Sequence, residues 1–307
     1  MRILPDITSS ISTEVPSTLQ WVGMENIAVP ITIKKEDNES LRIVSKTNVF
    51  ISLDSPEAKG IHMSRAHLAI NQLADIECNQ INIKQLLDTI IESQDGISHE
   101  ARIELRFDLT LIKSALLSNE SGFQSYPIVI RAEKNDQGYC SEFELTIPYS
   151  STCPCSASLA RQLYAESINS TFSGSSINKE NLLTWIDSEA GSIATPHSQR
   201  SYAYIRLSMG NSDWPDLTSL ILQLEDVIGT PVQTTVKRQD EQEFARLNAN
   251  NLMFCEDSAR RIKKSLEQMS EVKDYWFKVE HQESLHAHNA VVIDQKFKPT
   301  NSIASKK

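Results

Sequence analysis

Apolar and polar residues alternate strictly through Ile103, Leu105, Phe107 and Leu109, with Arg102, Glu104, Arg106 and Asp108 between them. Period two over that length predicts a strand with one buried face and one polar face. Tyr126–Ala132 is its expected partner. Two earlier apolar runs, Trp21 to Ile33 and Val49 to Leu53, also read as strands and are separated by the charged turn KKEDNES. Between these runs and the strand at Ile103 the period lengthens. Ala66, Ile70, Leu73 and Ala74 recur at helical spacing behind Ser64, the expected cap. Ile83, Leu86, Leu87, Ile90 and Ile91 mark a second helix.

The second half repeats this order. Phe143, Leu145 and Ile147 alternate with Glu142, Glu144 and Thr146, and Tyr202, Tyr204, Arg206 and Ser208 alternate with Ala203, Ile205 and Leu207. An amphipathic helix follows through Leu217, Leu220, Ile221, Leu224 and Ile228, with Pro215 near its start and Gly229 as its stop. A further helix is expected from Asn251 to Gln268. Strands through Tyr275, Phe277 and Val279 and from His288 to Ile293 close the chain. The fold class expected is therefore α+β: two strand-strand-helix-helix-strand-strand modules, each an antiparallel sheet with helices on one face. The expected boundaries are residues 1–135, residues 136–295 and a polar tail at 296–307. The first twenty residues, rich in Ser, Thr and Pro, read as extended. Residues 156–198 stand apart as a long connection holding a helical segment, Leu159 to Ile168, and a Ser/Gly-rich piece.

Composition narrows the function classes. The 307 residues suit one large domain or two modules, and 40% hydrophobic with 23% charged residues is an ordinary globular balance. A net charge of −10 argues against a general nucleic-acid binder, which needs a basic surface, but leaves room for a small anionic substrate held by a few bases. No stretch approaches the roughly 20 apolar residues that span a bilayer. Neither membrane nor nucleic acid is an expected partner. The N-terminus lacks the apolar core of a signal peptide, and five cysteines without a framework fit a reducing compartment, so a cytoplasmic protein is expected. No P-loop, G-x-G-x-x-G or G-x-S-x-G occurs.

The chemistry-bearing residues lie in four segments. Cys153-Pro154-Cys155 follows a strand directly and is a poor match to zinc-finger spacing. It offers one metal ligand and one reactive thiol, or else an ordinary pair of thiols at a strand end. His197 lies 42 positions after Cys155 beside Pro196, and no local spacing links the two. TVKRQDEQE, Thr235 to Glu243, reads mostly as a solvated charged loop, yet it can supply a metal-binding carboxylate and phosphate-binding bases. Glu256 opens or lies inside a helix. Glu280 to His288 packs three histidines and two glutamates into nine residues between two strands, the densest acid–base segment in the chain and also a possible polar turn.

Together these segments resemble the type IB GTP cyclohydrolase I family over nearly the whole chain. The resemblance is carried by Leu19-Gln20-Trp21-Val22-Gly23-Met24, Gly60-Ile61-His62-Met63-Ser64-Arg65, Cys153-Pro154-Cys155-Ser156, His197-Ser198-Gln199-Arg200-Ser201, Lys237-Arg238 with Asp240-Glu241, and Glu280 to His288. It implies a tunnelling fold, a homotetramer with active sites between subunits, and conversion of GTP and water to formate and 7,8-dihydroneopterin triphosphate, opening folate biosynthesis. It also implies a divalent metal (Zn, Mn or Fe) held by one cysteine of the pair, with Cys153 favoured over Cys155, together with His197 and Glu241. A role for Cys155 beside the reacting ring, His286 as general acid–base, and Glu256 as guanine anchor follow from it. So do Glu283 as a substrate-binding or histidine-positioning group and Lys237, Arg238, Arg200 and Arg65 as triphosphate contacts. Residues 156–196 exceed the connection of compact members and are expected to be an insertion at the site mouth, a possible lid. The alternatives are another tunnelling-fold enzyme acting on a purine or pterin, and a non-catalytic nucleotide binder of the same fold.

Overall fold

The computed structural model describes residues 13–34, 39–209 and 213–297. Most of the serine- and proline-rich start, part of the KKEDNES turn and most of the polar tail lie outside these.

Eight strands form one antiparallel sheet in which every strand pairs with its neighbour in sequence. They are β1 Leu19–Lys34, β2 Ser40–Leu53, β3 Ala101–Ser114, β4 Ser121–Asn135, β5 Gly138–Thr152, β6 Ser198–Ser208, β7 Asp274–His281 and β8 Ala290–Gln295. Helices α1 (Met63–Asn71) and α2 (Gln80–Glu92) connect β2 to β3. Helices α3 (Pro154–Thr171) and α4 (Lys179–Ile186) lie between β5 and β6. Helices α5 (Leu217–Ile228), α6 (Arg238–Asn250) and α7 (Cys255–Gln268) lie between β6 and β7. The expected repeat is therefore present, and the two halves join through the tight β4–β5 hairpin, where Asn135 faces Gly138.

The alternation read from the sequence decides which face is buried. Ile103, Leu105, Phe107 and Leu109 are buried in one continuous core with Ile70, Ile83, Leu87, Ile221, Leu224 and Ile262 of the helices. The polar face carries a row of ion pairs running across β3 to β6: Arg106 to Glu104 (2.5 Å), Glu104 to Arg131 (2.6 Å), Arg131 to Glu144 (2.9 Å) and Glu144 to Arg206 (2.6 Å). Opposite charges on adjacent strands fix the register as well as adding stability.

Helix ends follow local chemistry, with three departures from expectation. Helix α5 begins where Asp216 accepts the Ser219 N–H (2.7 Å) and ends at Gly229, whose φ of 89° suits glycine. The cap of α1 is His62 rather than Ser64, which lies inside the first turn. Helix α7 begins at Cys255, not Asn251, because the Asp257 carboxylate accepts the Phe254 N–H (3.0 Å) and sets the start there. The third departure is the largest: the expected charged loop at Lys237 to Glu243 is mostly helix α6. Its mean hydropathy is low, so the period is hard to see, yet Asp240 is buried and Glu243, Phe244 and Leu247 lie half-buried on the same face.

Residues 156–196 form an arm with its own order. Asn178 caps α4 through the Glu180 and Asn181 N–H groups, and Phe172 meets Trp185 edge to face at 5.8 Å. Only Ala157 and Ala160 of α3 are buried, and α4 buries none of its residues.

Candidate active site

The strand ladder brings Cys153 and His197 together. Thr152 pairs with Ser198 as the last register of β5 and β6, and beyond it the Cys153 N–H donates to the His197 carbonyl (3.2 Å). The 156–196 arm is thus a long loop on a β-hairpin whose two ends meet at this rung. Cys153 is also the N-cap of α3, while Cys155 lies exposed in its first turn.

Hydrogen bonds orient the His197 imidazole. Its Nδ1 lies 3.0 Å from Gln199 Oε1, and Gln199 donates through Nε2 to Ser151 Oγ (2.8 Å). Since the amide oxygen only accepts, the ring nitrogen facing it carries a proton, and the neutral ring then has its lone pair on Nε2. Glu283 Oε2 stands 3.8 Å from the same Nδ1. A histidine whose Nδ1–H is held by an oxygen and whose Nε2 is left for coordination is the arrangement metal-binding histidines adopt. Gln199 and Ser151 are site positions beyond those expected from the sequence. The signal was available: His197 and Gln199 are two positions apart in extended chain, so they share a face.

The β6–β7 pairing delivers the remaining segment. Gln282 donates its N–H to the Arg200 carbonyl, and Ser284 Oγ reaches the Ser198 carbonyl at 3.5 Å, which sets Glu283 beside His197. His286 and His288 are exposed on the β7–β8 connection, with ring centroids 5.0 Å apart and nearly parallel. His281 differs from them. It is buried against the Tyr149 hydroxyl (3.0 Å) and Ser258 Oγ (3.3 Å), and burial pushes its pKa down to about 4.

Helices α6 and α7 flank this strand end. Met253 donates its N–H to the Thr152 carbonyl, and the Cys255 thiol donates to the Val279 carbonyl at 3.6 Å, so the start of α7 is fixed against β5 and β7. Glu256 is exposed in its first turn. Burial pushes the Cys255 thiol up to about 11, which leaves it a protonated packing group. Glu241 is exposed in the first turn of α6. It lines a cavity of about 570 Å³ whose walls include Thr195, Pro196 and Ser198 on either side of His197, and Arg161 and Tyr164 of α3. Among the described residues, no three His, Cys, Asp or Glu side chains converge closely enough to hold a metal ion.

The basic candidates separate. Arg238 is exposed at the start of α6. Lys237 forms an ion pair with Glu120 (2.5 Å). Arg200 is exposed at the start of β6. Arg65 donates to the Ser93 carbonyl (2.6 Å) and to Asp95 (2.5 Å), which ties α1 to the end of α2.

An antiparallel sheet with helices α1, α2, α5 and α7 packed on its apolar face, and titratable side chains collected near the strand ends, defines an α+β protein with a candidate active site at that end. A family model described as GCHY-1, Type I GTP cyclohydrolase folE2, matches residues 4–292, and the chain belongs to that family. GTP cyclohydrolase FolE2 of Hahella chejuensis (strain KCTC 2396) is 56% identical over 297 residues, covering 97% of each chain. GTP cyclohydrolase FolE2 of Pseudoalteromonas atlantica (strain T6c / ATCC BAA-1087) is 53% identical over 294 residues, covering 95% of this chain and 96% of that protein. Among solved structures, uricase from Arthrobacter globiformis aligns over 94% of this chain and 97% of its own, with a TM-score of 0.43 and 9% identity.

Proposed function

We propose that this chain is a metal-dependent GTP cyclohydrolase I, converting GTP and water to formate and 7,8-dihydroneopterin triphosphate at the head of tetrahydrofolate biosynthesis. The observation that carries the reading is the Cys153–His197 rung with its Gln199-oriented imidazole, in a chain that is 56% identical to a GTP cyclohydrolase FolE2. Cys153, His197 through Nε2, and Glu241 would hold a divalent ion, Zn, Mn or Fe. Thiolate, imidazole and carboxylate form the donor set of a catalytic site. When bound, the metal supplies Lewis acidity that brings the ionisation of a water toward neutral pH.

The other residues bind substrate and move protons. The Glu256 carboxylate accepts two hydrogen bonds, from guanine N1–H and the exocyclic amine. Adenine cannot supply that pair, so the contact selects the base. Arg238 meets the triphosphate, and Lys237, already paired with Glu120, adds to the local positive field. Glu283 supports the His197 ring. His286 exchanges protons with ring nitrogens as the five-membered ring opens at C8 and the resulting formamide is hydrolysed, and the Cys155 thiol assists beside the reacting carbon. Two waters enter at these hydrolyses and one leaves when the pterin ring closes, which gives a net uptake of one.

The reading includes a homotetramer with active sites between subunits. Its support is the open sheet: among the described strands β1 and β8 each pair with one neighbour, and apart from the Cys78 N–H that donates to the Thr32 carbonyl, their outer edges are left for a second copy to cover. The deciding experiment incubates metal-loaded protein with GTP and assays formate together with a pterin that fluoresces after oxidation. Metal-replete protein that releases no formate sinks the reading. Glu256→Gln is expected to raise KM for GTP at least tenfold, on the order of one strong buried hydrogen bond, while metal content stays unchanged.

A further inference from the structure

Asp240 is a buried carboxylate with every oxygen engaged. Its Oδ1 accepts the N–H groups of Leu117 (2.7 Å) and Ser118 (2.8 Å), and its Oδ2 accepts the Ser118 hydroxyl (2.6 Å) and the Lys237 N–H (2.8 Å). Leu117 and Ser118 belong to the turn between β3 and β4, in the first half of the chain. Lys237 is the N-cap of α6, in the second. One side chain therefore fastens the first turn of α6 to a distant hairpin. The Lys237–Glu120 pair spans the same gap, but it is exposed and holds little.

Helix α6 has few other anchors at this end. Asp240 is its one fully buried residue among those described. The next residue is Glu241, which faces the cavity beside His197. The direction in which Glu241 points is thus set by a turn that Asp240 holds. Four donors converge on the Asp240 side chain. An asparagine there keeps one acceptor oxygen; its NH₂ group can donate to the Ser118 hydroxyl but leaves at least one of the three backbone N–H groups without an acceptor.

We propose that Asp240 is a positioning residue for the metal centre, clamping the first turn of α6 to the β3–β4 turn so that the Glu241 carboxylate is presented toward Cys153 and His197. The inference rests on the metal-centre reading given above. Asp240 touches neither metal nor substrate, and it acts through Glu241 alone.

The test uses the full chain, stripped of metal and titrated with Zn²⁺ against a competing chelator, with thermal midpoints recorded on the same samples. Asp240→Asn is compared with Glu225→Gln, which weakens a buried carboxylate clamp between the same hairpin and α5, and with Glu241→Ala. Asp240→Asn is expected to weaken Zn²⁺ binding about 10–100-fold, the range for loss of a group that orients a ligand. Glu225→Gln is expected to lower the midpoint yet leave affinity within about twofold. If both weaken binding equally, the effect is general loosening and the proposal is overturned. If Glu241→Ala loses the metal and a folded Asp240→Asn keeps it, the proposal is likewise overturned while the metal-centre reading stands. If Glu241→Ala keeps full affinity, the metal-centre reading itself fails. Should Asp240→Asn not fold, Ser118→Ala removes one of the four donors. A several-fold weakening is then expected, and unchanged affinity in Ser118→Ala counts against the clamp.

Discussion

The N–H of Cys153 donates to the carbonyl of His197 over 3.2 Å, although 44 positions separate the two residues. The bond is a strand rung, so it depends on β5 and β6 and not on the arm between them. Replacing residues 172–190 with a short Gly/Ser linker is therefore expected to leave metal content unchanged. The change in stability should stay within about 1 kcal/mol, since shortening a loop gains only tenths of a kcal/mol and α4 buries nothing. Metal analysis and urea denaturation of the shortened protein check both.

Gln199 fixes the tautomer of His197. Gln199→Leu removes the acceptor, frees the ring to turn, and is expected to weaken metal binding about 10–100-fold. Gln199→Glu keeps an acceptor for Nδ1–H and should recover most of the loss. Chelator competition on the two variants measures the difference.

His281 gives the fold an acid limit. Burial depresses its pKa to about 4 from an ordinary 6.5. Between those values the unfolded chain takes up a proton that the folded chain refuses. Stability is therefore fully present above about pH 6.5, falls as pH drops toward 4, and changes no further below that on this residue's account. The expected contribution is on the order of 2–3 kcal/mol. His281→Gln should flatten that part of the stability profile, as read from urea denaturation at pH 4.5, 5.5 and 7.

Glu225 is 2% exposed and meets both the Lys113 ammonium and the Tyr126 hydroxyl. Burial, then the neighbouring carboxylate, hold the Tyr126 phenol above its ordinary pKa range, so it stays protonated as the donor. Glu225→Ala strands a buried ammonium and is expected to cost about 3–5 kcal/mol. Combining Glu225→Leu, Lys113→Met and Tyr126→Phe should recover most of this, because an apolar set of similar volume needs no partners. Denaturant midpoints of the single and triple variants test it.

Much of this molecule is written in period two and period 3.6. The alternation at Ile103 to Leu109 gave β3 and its buried face, and Gly229 marked the end of α5. Helix α6 escaped notice because its buried position is an aspartate. Sequence patterns register apolar burial and pass over a carboxylate buried by four hydrogen bonds. The Cys153–His197 pairing was expected from the family resemblance but could not be read from spacing, for a different reason. Forty-odd intervening residues hide a hairpin whose strands were each legible singly. Once β5 and β6 are known to be neighbours in the sheet, the residues at their facing ends follow as neighbours too.

The strand order, which repeats the order of synthesis, also governs how the molecule is made. Each strand leaving the ribosome meets a partner that already exists, so no pairing waits for a distant segment, and non-local pairing is what slows β proteins. The arm before β6 delays that strand, but closing a longer loop adds only about 0.6 kcal/mol per doubling. A chain arrested inside the arm has a nearly complete first half and a Cys153 thiol with no histidine across from it. Such a fragment lacks the His197 imidazole and the Glu241 and Glu256 carboxylates proposed above. The proposed centre is thus withheld until the second half of the fold has been made.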